Sequence, residues 1–274
     1  MALIDDMWGY QDKRVVVTGC ASGIGAATAR ELRKLGAHVT GLDIHKPTVE
    51  VDEYVQLDLS DRASIEDAAA RITPPVDAQF NCAGLSGGGG PPLLVMRVNF
   101  IGLRHLTTAL LPAIPSGGAI VSIASTGGMA FRDNMAAVRD FLAVEDFDPA
   151  VAWCEAHDEQ FPRGGYTFSK QSLIVWTMLQ ARPLADRGVR INCTGPGMTA
   201  TPMLQDSAKL LGQEYLDRFP RPLGRDARPE EQAWPLIFLN SEAASYVTGQ
   251  LLWVDGGLVN GLALGTIDQA LMAR

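Results

Sequence analysis

Short apolar runs alternate with amphipathic stretches along nearly the whole chain. Residues 14–18 read RVVVT, and 39–43, 54–57, 76–81, 119–124, 189–193 and 251–254 are comparable short runs rich in β-branched side chains. Such runs, free of polar alternation, predict strands buried on both faces. Between them, residues 23–35, 63–72, 93–111, 166–185 and 230–239 carry apolar positions at helical spacing. Gly36 follows the first of these helices and Pro112 ends the third, as helix stop signals do. The alternation predicts βαβ units and an α/β fold: a Rossmann-type, three-layer, doubly wound parallel sheet of about seven strands. Nothing divides the chain into parts, so residues 1–274 are expected to form one domain, with ligand at the carboxyl ends of the strands.

One stretch breaks the rhythm. Residues 130–165 separate the fifth strand from the next helix by far more than an ordinary loop. The stretch holds eight acids against three bases, which is most of the chain's net charge of −8. Met135, Val138, Phe141 and Leu142 have helical spacing, and Asp148-Pro149 predicts a second helix with Asp148 as its cap. A two-helix insert with an acidic outer face is expected here.

Charge and composition narrow the function. A pI near 5.0 and the lack of a basic cluster argue against nucleic acid. No apolar run approaches the ~18 residues of a membrane span. The N-terminus, MALIDDMWGYQDK, carries acids where a secretory signal carries bases, so a cytoplasmic protein is expected. Cys20, Cys82, Cys154 and Cys193 are scattered without metal-ligand or disulfide spacing, and His38, His45, His105 and His157 are no better grouped.

Candidate chemistry begins after the first strand. Thr18-Gly19-Cys20-Ala21-Ser22-Gly23-Ile24-Gly25 joins that strand to the first helix. Gly19 permits a turn that a Cβ would block, while Gly23 and Gly25 let a pyrophosphate and the sheet approach the helix. Free N–H groups at the helix start, with its dipole, attract phosphate. Asp43 ends the second strand, 18 residues beyond Gly25, where a carboxylate can accept both hydroxyls of an adenosine ribose. It would repel a 2′-phosphate, and neither Ser22 nor Ile44 is basic, so NAD is expected rather than NADP. Asp43 as a solvated turn residue is the alternative. Asp58 is read either as an adenine contact or as part of a capping stretch.

Tyr166 and Lys170 are four residues apart on one helix face. A free tyrosine has a pKa near ~10. An ammonium one turn away and a cationic nicotinamide would both favour its phenolate. Ser125, just after the fifth strand, can hydrogen-bond the same substrate oxygen. Alone, the Tyr-x-x-x-Lys spacing is common; it gains meaning beside the glycine loop and Ser125.

These motifs resemble the short-chain dehydrogenase/reductase family over essentially the whole chain. TGCASGIG at 18–25, Asp58-Leu59, Asn81-Cys82-Ala83-Gly84, Asn99, Ser125, Tyr166-Thr167-Phe168-Ser169-Lys170, the run from Pro196 to Thr201, and Asp255-Gly256-Gly257 carry the likeness. The resemblance implies a dinucleotide-binding dehydrogenase domain with Asn99, Ser125, Tyr166 and Lys170 catalytic. It implies a cofactor site of Gly19, Ala21, Ser22, Gly23, Ile24, Asp43, Asp58, Leu59, Asn81, Ala83, Gly84, Tyr166, Lys170, Pro196, Gly197, Thr199 and Thr201. Cys82 stands where the family has a second asparagine. Ser125 and Tyr166 are 41 residues apart, well beyond the family's usual spacing. Such an insert resembles the bacterial 3α-hydroxysteroid dehydrogenase/carbonyl reductase subgroup and its coniferyl-alcohol dehydrogenase relatives. The implied substrate is a small, neutral, apolar alcohol or ketone; a non-catalytic nucleotide sensor on the same fold is the rival. Residues 202–219, with Met203, Leu204, Leu210, Leu211, Tyr215 and Phe219 giving an apolar side, are expected to cover the substrate, a plain surface helix being the alternative. The family's habits imply a homodimer or homotetramer. The insert, joined just before Tyr166, would alter subunit contacts.

Overall fold

A computed structural model describes residues 8–161 and 164–272. Seven parallel strands form one sheet in the order β3-β2-β1-β4-β5-β6-β7. They are β1 (Arg14–Thr18), β2 (His38–Asp43), β3 (Glu53–Gln56), β4 (Ala78–Asn81), β5 (Ala119–Ile123), β6 (Arg190–Pro196) and β7 (Leu251–Val254). The chain winds outward in one sense from β1 and in the other from β4, all strands staying parallel, which puts a crevice at the carboxyl ends of these two.

The strands feed two cores because successive side chains face opposite ways. Val15 and Val17 join one core with Phe80, Val121 and two helices, α1 (Gly23–Lys34) and α10 (Pro229–Asn240). Val16, Ile120 and Ile191 join the other. There they meet α2 (Arg62–Ala70), α4 (Gly102–Leu110) and α7 (Tyr166–Ala185). The result is the expected three layers.

Several boundaries move for physical reasons. The helix expected over 93–111 is α3 (Pro92–Met96), a π-helical turn (Arg97–Ile101) and then α4. Apolar periodicity does not reveal a single widened turn, and this one holds Asn99. Pro112 sits inside a short 3-10 turn, Leu111–Ala113. β6 runs on to Pro196, beyond the apolar run, because Gly195 and Pro196 still pair with β7.

The segment between β5 and α7 contains α5 (Met135–Leu142) and α6 (Phe147–Ala156). Asp148 is not the cap of α6: the helix begins at Phe147 after Asp146, and Asp148 lies in its first turn. Pro149 fits there because the N–H groups of a first turn have no helical acceptor to lose. Asp148 instead binds the Arg62 guanidinium of α2 at 2.8 Å. All eight acids of the segment are exposed, while Val138, Phe141, Leu142, Phe147, Ala150, Val151 and Cys154 are buried. Phe141 packs its ring 5.5 Å from Phe100 of the π-turn and 5.6 Å from Phe168 of α7. Thus α5 and α6 lie on the helices that carry Asn99 and Tyr166. Arg163, counted among the bases of this stretch, lies outside the described residues.

The remaining helices are α8 (Pro202–Leu211), α9 (Gln213–Arg218) and α11 (Leu258–Ala263). The side chains of Leu210, Leu211 and Tyr215 lie outside the described ones; of the other expected lid residues, Met203 is exposed, and Leu204 and Phe219 are half-buried. Among the described residues no helix is long and apolar enough to cross a membrane.

Candidate active site

The glycine loop has the shape its sequence implies. Gly19 has φ +70°, and a Cβ there would lie 2.7 Å from the Ala83 backbone. A Cβ on Gly25 would lie 2.1 Å from the Gly19 carbonyl oxygen, so α1 abuts the end of β1. Ser22 precedes α1 in extended conformation, and its side chain caps no N–H. The helix start at Gly23 and Ile24 is therefore open to an anion.

Asp43 stands beside this loop. One carboxylate oxygen accepts from the Ala21 N–H at 3.0 Å and the other from the His45 N–H at 2.9 Å. The carboxylate is half-buried and held by main-chain donors on both oxygens. From the opposite side, Thr201 approaches Gly23: a Cβ there would meet the Thr201 methyl at 3.3 Å. Thr201 and Thr199 are steadied by bonds to the Thr199 and Gly197 carbonyls, and Gly197 donates to Val254. Pro196 is buried at the end of β6. A dinucleotide fits this arrangement: an uncapped helix start for phosphate, a fixed carboxylate for ribose, and a facing strand-end segment.

Some of the expected contacts have side chains engaged within the protein. Asn81 is buried in β4, where its amide donates to Thr107 and Ser122 and accepts from Gln79. Its side chain braces the sheet and has little left for adenosine. Leu59 is buried in the core. Asp58 accepts from the Ser60 N–H at 2.8 Å, and the cap of α2 is Asp61, which accepts from Ala63. Ala83 reaches the loop through its N–H, which donates to the Thr18 hydroxyl at 3.1 Å alongside that of Cys82 at 3.0 Å. Thr18 opens the glycine motif in the sequence, where its hydroxyl has no assigned role; its place at the end of β1 is the signal for one.

Ser125, Tyr166, Lys170, Asn99 and Gly84 do come together. The Ser125 hydroxyl acts on Tyr166 and favours its phenolate, but burial outweighs this and raises the phenol above its ordinary pKa. Lys170 stands close by. It is buried, and its Nζ, 5.7 Å from the Tyr166 ring centre, donates to the Ile123 carbonyl at 2.8 Å. Burial lowers its pKa to about 8. Burial thus favours the protonated phenol, and the ammonium and cationic nicotinamide expected to favour the phenolate act against it.

Asn99 pins the loop after β4. Its amide accepts from the Leu85 N–H at 2.7 Å and donates to the Leu85 carbonyl at 3.0 Å. It also donates to Ser169, whose hydroxyl donates to the Tyr166 carbonyl at 2.7 Å. A Cβ on Gly84 would lie 3.2 Å from the Asn99 amide oxygen and 3.7 Å from Lys170 Nζ, so Gly84 separates the two. Ser169 and the Ile123 carbonyl are further members that residue type alone did not reveal.

The fold and these residues define an α/β oxidoreductase built around a dinucleotide crevice, and comparison with known proteins makes the class specific. The short chain dehydrogenase family model matches residues 13–137, and one described as enoyl-(acyl carrier protein) reductase matches 155–259. The unmatched residues between them, 138–154, run from within α5 to within α6. The chain is 36% identical over 250 residues to a coniferyl-alcohol dehydrogenase of Pseudomonas sp. (strain HR199 / DSM 7063), covering 91% of this chain and 97% of that one. It is 36% identical over 261 residues to a 3-alpha-hydroxysteroid dehydrogenase/carbonyl reductase of Comamonas testosteroni, covering 89% and 95%. The crystal structure of a 3-alpha-hydroxysteroid dehydrogenase from Pseudomonas sp. B-0831, complexed with NADH, superposes with TM-score 0.80 at 30% identity over 93% of this chain and all of that one. The chain belongs to the short-chain dehydrogenase/reductase family.

Proposed function

We propose that the protein is an NAD-dependent alcohol dehydrogenase and ketone reductase, acting on a small, neutral, apolar substrate. The observation that carries this is the gathering of Ser125, Tyr166 and Lys170 at the crevice that Asp43 and the uncapped start of α1 prepare for a dinucleotide. Asp43 would accept the ribose hydroxyls and repel a 2′-phosphate. The N–H groups of Gly23 and Ile24 would take the pyrophosphate, and Pro196, Gly197, Thr199 and Thr201 would border the nicotinamide.

When bound, the cofactor supplies the hydride acceptor or donor and, when oxidised, a positive charge near Tyr166. Tyr166 exchanges the proton of the substrate oxygen. Protonated, as its surroundings favour, it is ready to reduce a carbonyl; for alcohol oxidation it must ionise. Ser125 holds the same oxygen as charge develops on it. Lys170 stands within one turn to favour the phenolate and passes protons towards Asn99. With its amide spent on Leu85, Asn99 acts through its main chain and by fixing the loop. Turnover of steroid, terpene, aryl and aliphatic alcohols with NAD and with NADP tests the reading. Tight NADH binding with no turnover of any of them would favour the nucleotide-sensing alternative.

The assembly we propose is a homodimer, or a rearranged homotetramer, formed away from α5 and α6. Its support is that these two helices already cover the outer sides of α4 and α7. Solution scattering showing a tetramer packed through α4 and α7 would contradict it. A cytoplasmic location is supported by four free cysteines, as expected in a reducing compartment.

A further inference from the structure

Two exposed glycines flank Tyr166. A Cβ on Gly127 would lie 3.0 Å from Tyr166 Cε1 and 3.4 Å from Ser125 Oγ. A Cβ on Gly87, in the loop after β4, would lie 3.5 Å from Tyr166 Cβ and 3.9 Å from Cγ. Neither is among the glycines with positive φ, so backbone conformation does not demand them. Packing does not demand Gly87 either, since 3.5 Å is ordinary contact distance. Gly128 is the contrast: it is buried, and a Cβ there would press on Ile174 and the Lys170 backbone.

We propose that Gly87 and Gly127 determine substrate specificity by leaving both flanks of Tyr166 bare, so that the site takes a ring-borne secondary alcohol or its ketone. The inference rests on Tyr166 being the proton-exchanging residue, as proposed above. A substrate oxygen shared by Ser125 and Tyr166 brings its carbon against the ring edge beside Gly127. A secondary carbinol carries two substituents, and each needs a lane past the phenol. A primary alcohol needs only one. Gly127 opens the lane next to the two hydroxyls, and Gly87 opens the one at the root of the ring. A Cβ at Gly87 meets Tyr166 and, within 4 Å, neither Ser125 nor the glycine loop of residues 18–25.

The test is the series Gly87→Ala, Gly87→Val and Gly87→Leu, assayed on a bicyclic secondary alcohol, a primary aryl alcohol and 2-propanol. The expected result is a graded fall in kcat/KM for the bicyclic alcohol, roughly tenfold or more by Val and chiefly through KM, as one obstructed pocket gives. The losses on the other two alcohols are much smaller, and NADH affinity measured by fluorescence is unchanged. Equal losses on all three alcohols, or no loss on the bicyclic one, overturn the inference while leaving the proposed dehydrogenase intact. A wild-type protein that turns over none of the three, yet binds NADH, overturns both. Gly127→Ala gives a second reading: it should lower kcat as well as raise KM, because it presses on Tyr166 and Ser125 together.

Discussion

Lys170 Nζ donates to the main-chain carbonyl of Ile123, 2.8 Å away at the last residue of β5. The ammonium is taken out of water to do so, and burial brings its pKa from 10.5 down to about 8. A base whose folded pKa lies below its unfolded value destabilises the fold wherever both states are protonated, below about pH 8. The penalty fades as pH rises from there towards 10.5. At ~1.4 kcal/mol per pKa unit it is about 3 kcal/mol. Lys170→Met removes it but leaves the Ile123 carbonyl unpaired, at a cost of about 1 kcal/mol or more. The variant should therefore be more stable than the wild type by about 2 kcal/mol at pH 7, with the gap closing above pH 8, and nearly inactive. Urea denaturation at several pH values measures this; a variant less stable at pH 7 would contradict it.

Tyr166 presents the opposite problem. Burial raises its phenol, and Ser125 offsets that only in part. Alcohol oxidation in the wild type should thus accelerate as pH rises above neutrality, while ketone reduction, which starts from the protonated phenol, should not. Tyr166→Phe keeps the ring and removes the proton carrier. Its kcat should fall by about 10³-fold, within the usual range for losing a general acid or base, with NADH affinity retained. Rate profiles in both directions with the cofactor saturating are the check. Equal pH dependence in the two directions would refute the assignment.

The fold was legible because its strands are short, apolar and bounded by turns: residues 14–18 and 251–254 were delimited to the residue. The cofactor loop was legible because Gly19 and Gly25 meet backbone that a Cβ would strike. What stayed hidden depends on where side chains turn. Asn81 sits in a loop motif yet points into the sheet to Thr107 and Ser122. Asn99 sits in a helix whose π-turn carries no periodic signature. Four-residue spacing puts Lys170 beside Tyr166, but the competing acceptor at Ile123 comes from a strand 47 positions away.

Asp43 has two duties that a substitution can separate. Its carboxylate holds the Ala21 N–H of the glycine loop, and its charge would exclude a 2′-phosphate. Asp43→Asn keeps an acceptor for Ala21 and removes the charge. NAD should bind several-fold more weakly, and NADP should bind more tightly than to the wild type and become a usable cofactor. Asp43→Ala loses the loop anchor as well and should weaken both. Titration of each dinucleotide into both variants decides the matter; an Asn variant that still rejects NADP would show that charge is not what discriminates.

Arg104 of α4 is 5% exposed, and its Nη2 meets no acceptor. Its guanidinium lies 5.2 Å from the Phe100 ring centre and 5.9 Å from that of Phe141, between the π-turn and α5. Burial lowers its pKa to about 10, against the pull of Glu145 and Asp146. Both acids are exposed, so their attraction is weakened by water and compensates the buried charge poorly. Replacing a poorly compensated charge by an apolar group of similar length is commonly neutral or stabilising. Arg104→Met should therefore leave the melting temperature unchanged or raise it, since the flexible thioether fills the same channel between the two rings. Arg104→Ala should cost about 2–3 kcal/mol, as a cavity opens beside Phe141. Because Phe141 and Phe100 join α5 to the turn that holds Asn99, the Ala variant should also lower kcat, whereas the Met variant should not. Thermal melts and turnover measured on both decide it; a Met variant as damaged as the Ala variant would mean that the charge itself holds α5 in place.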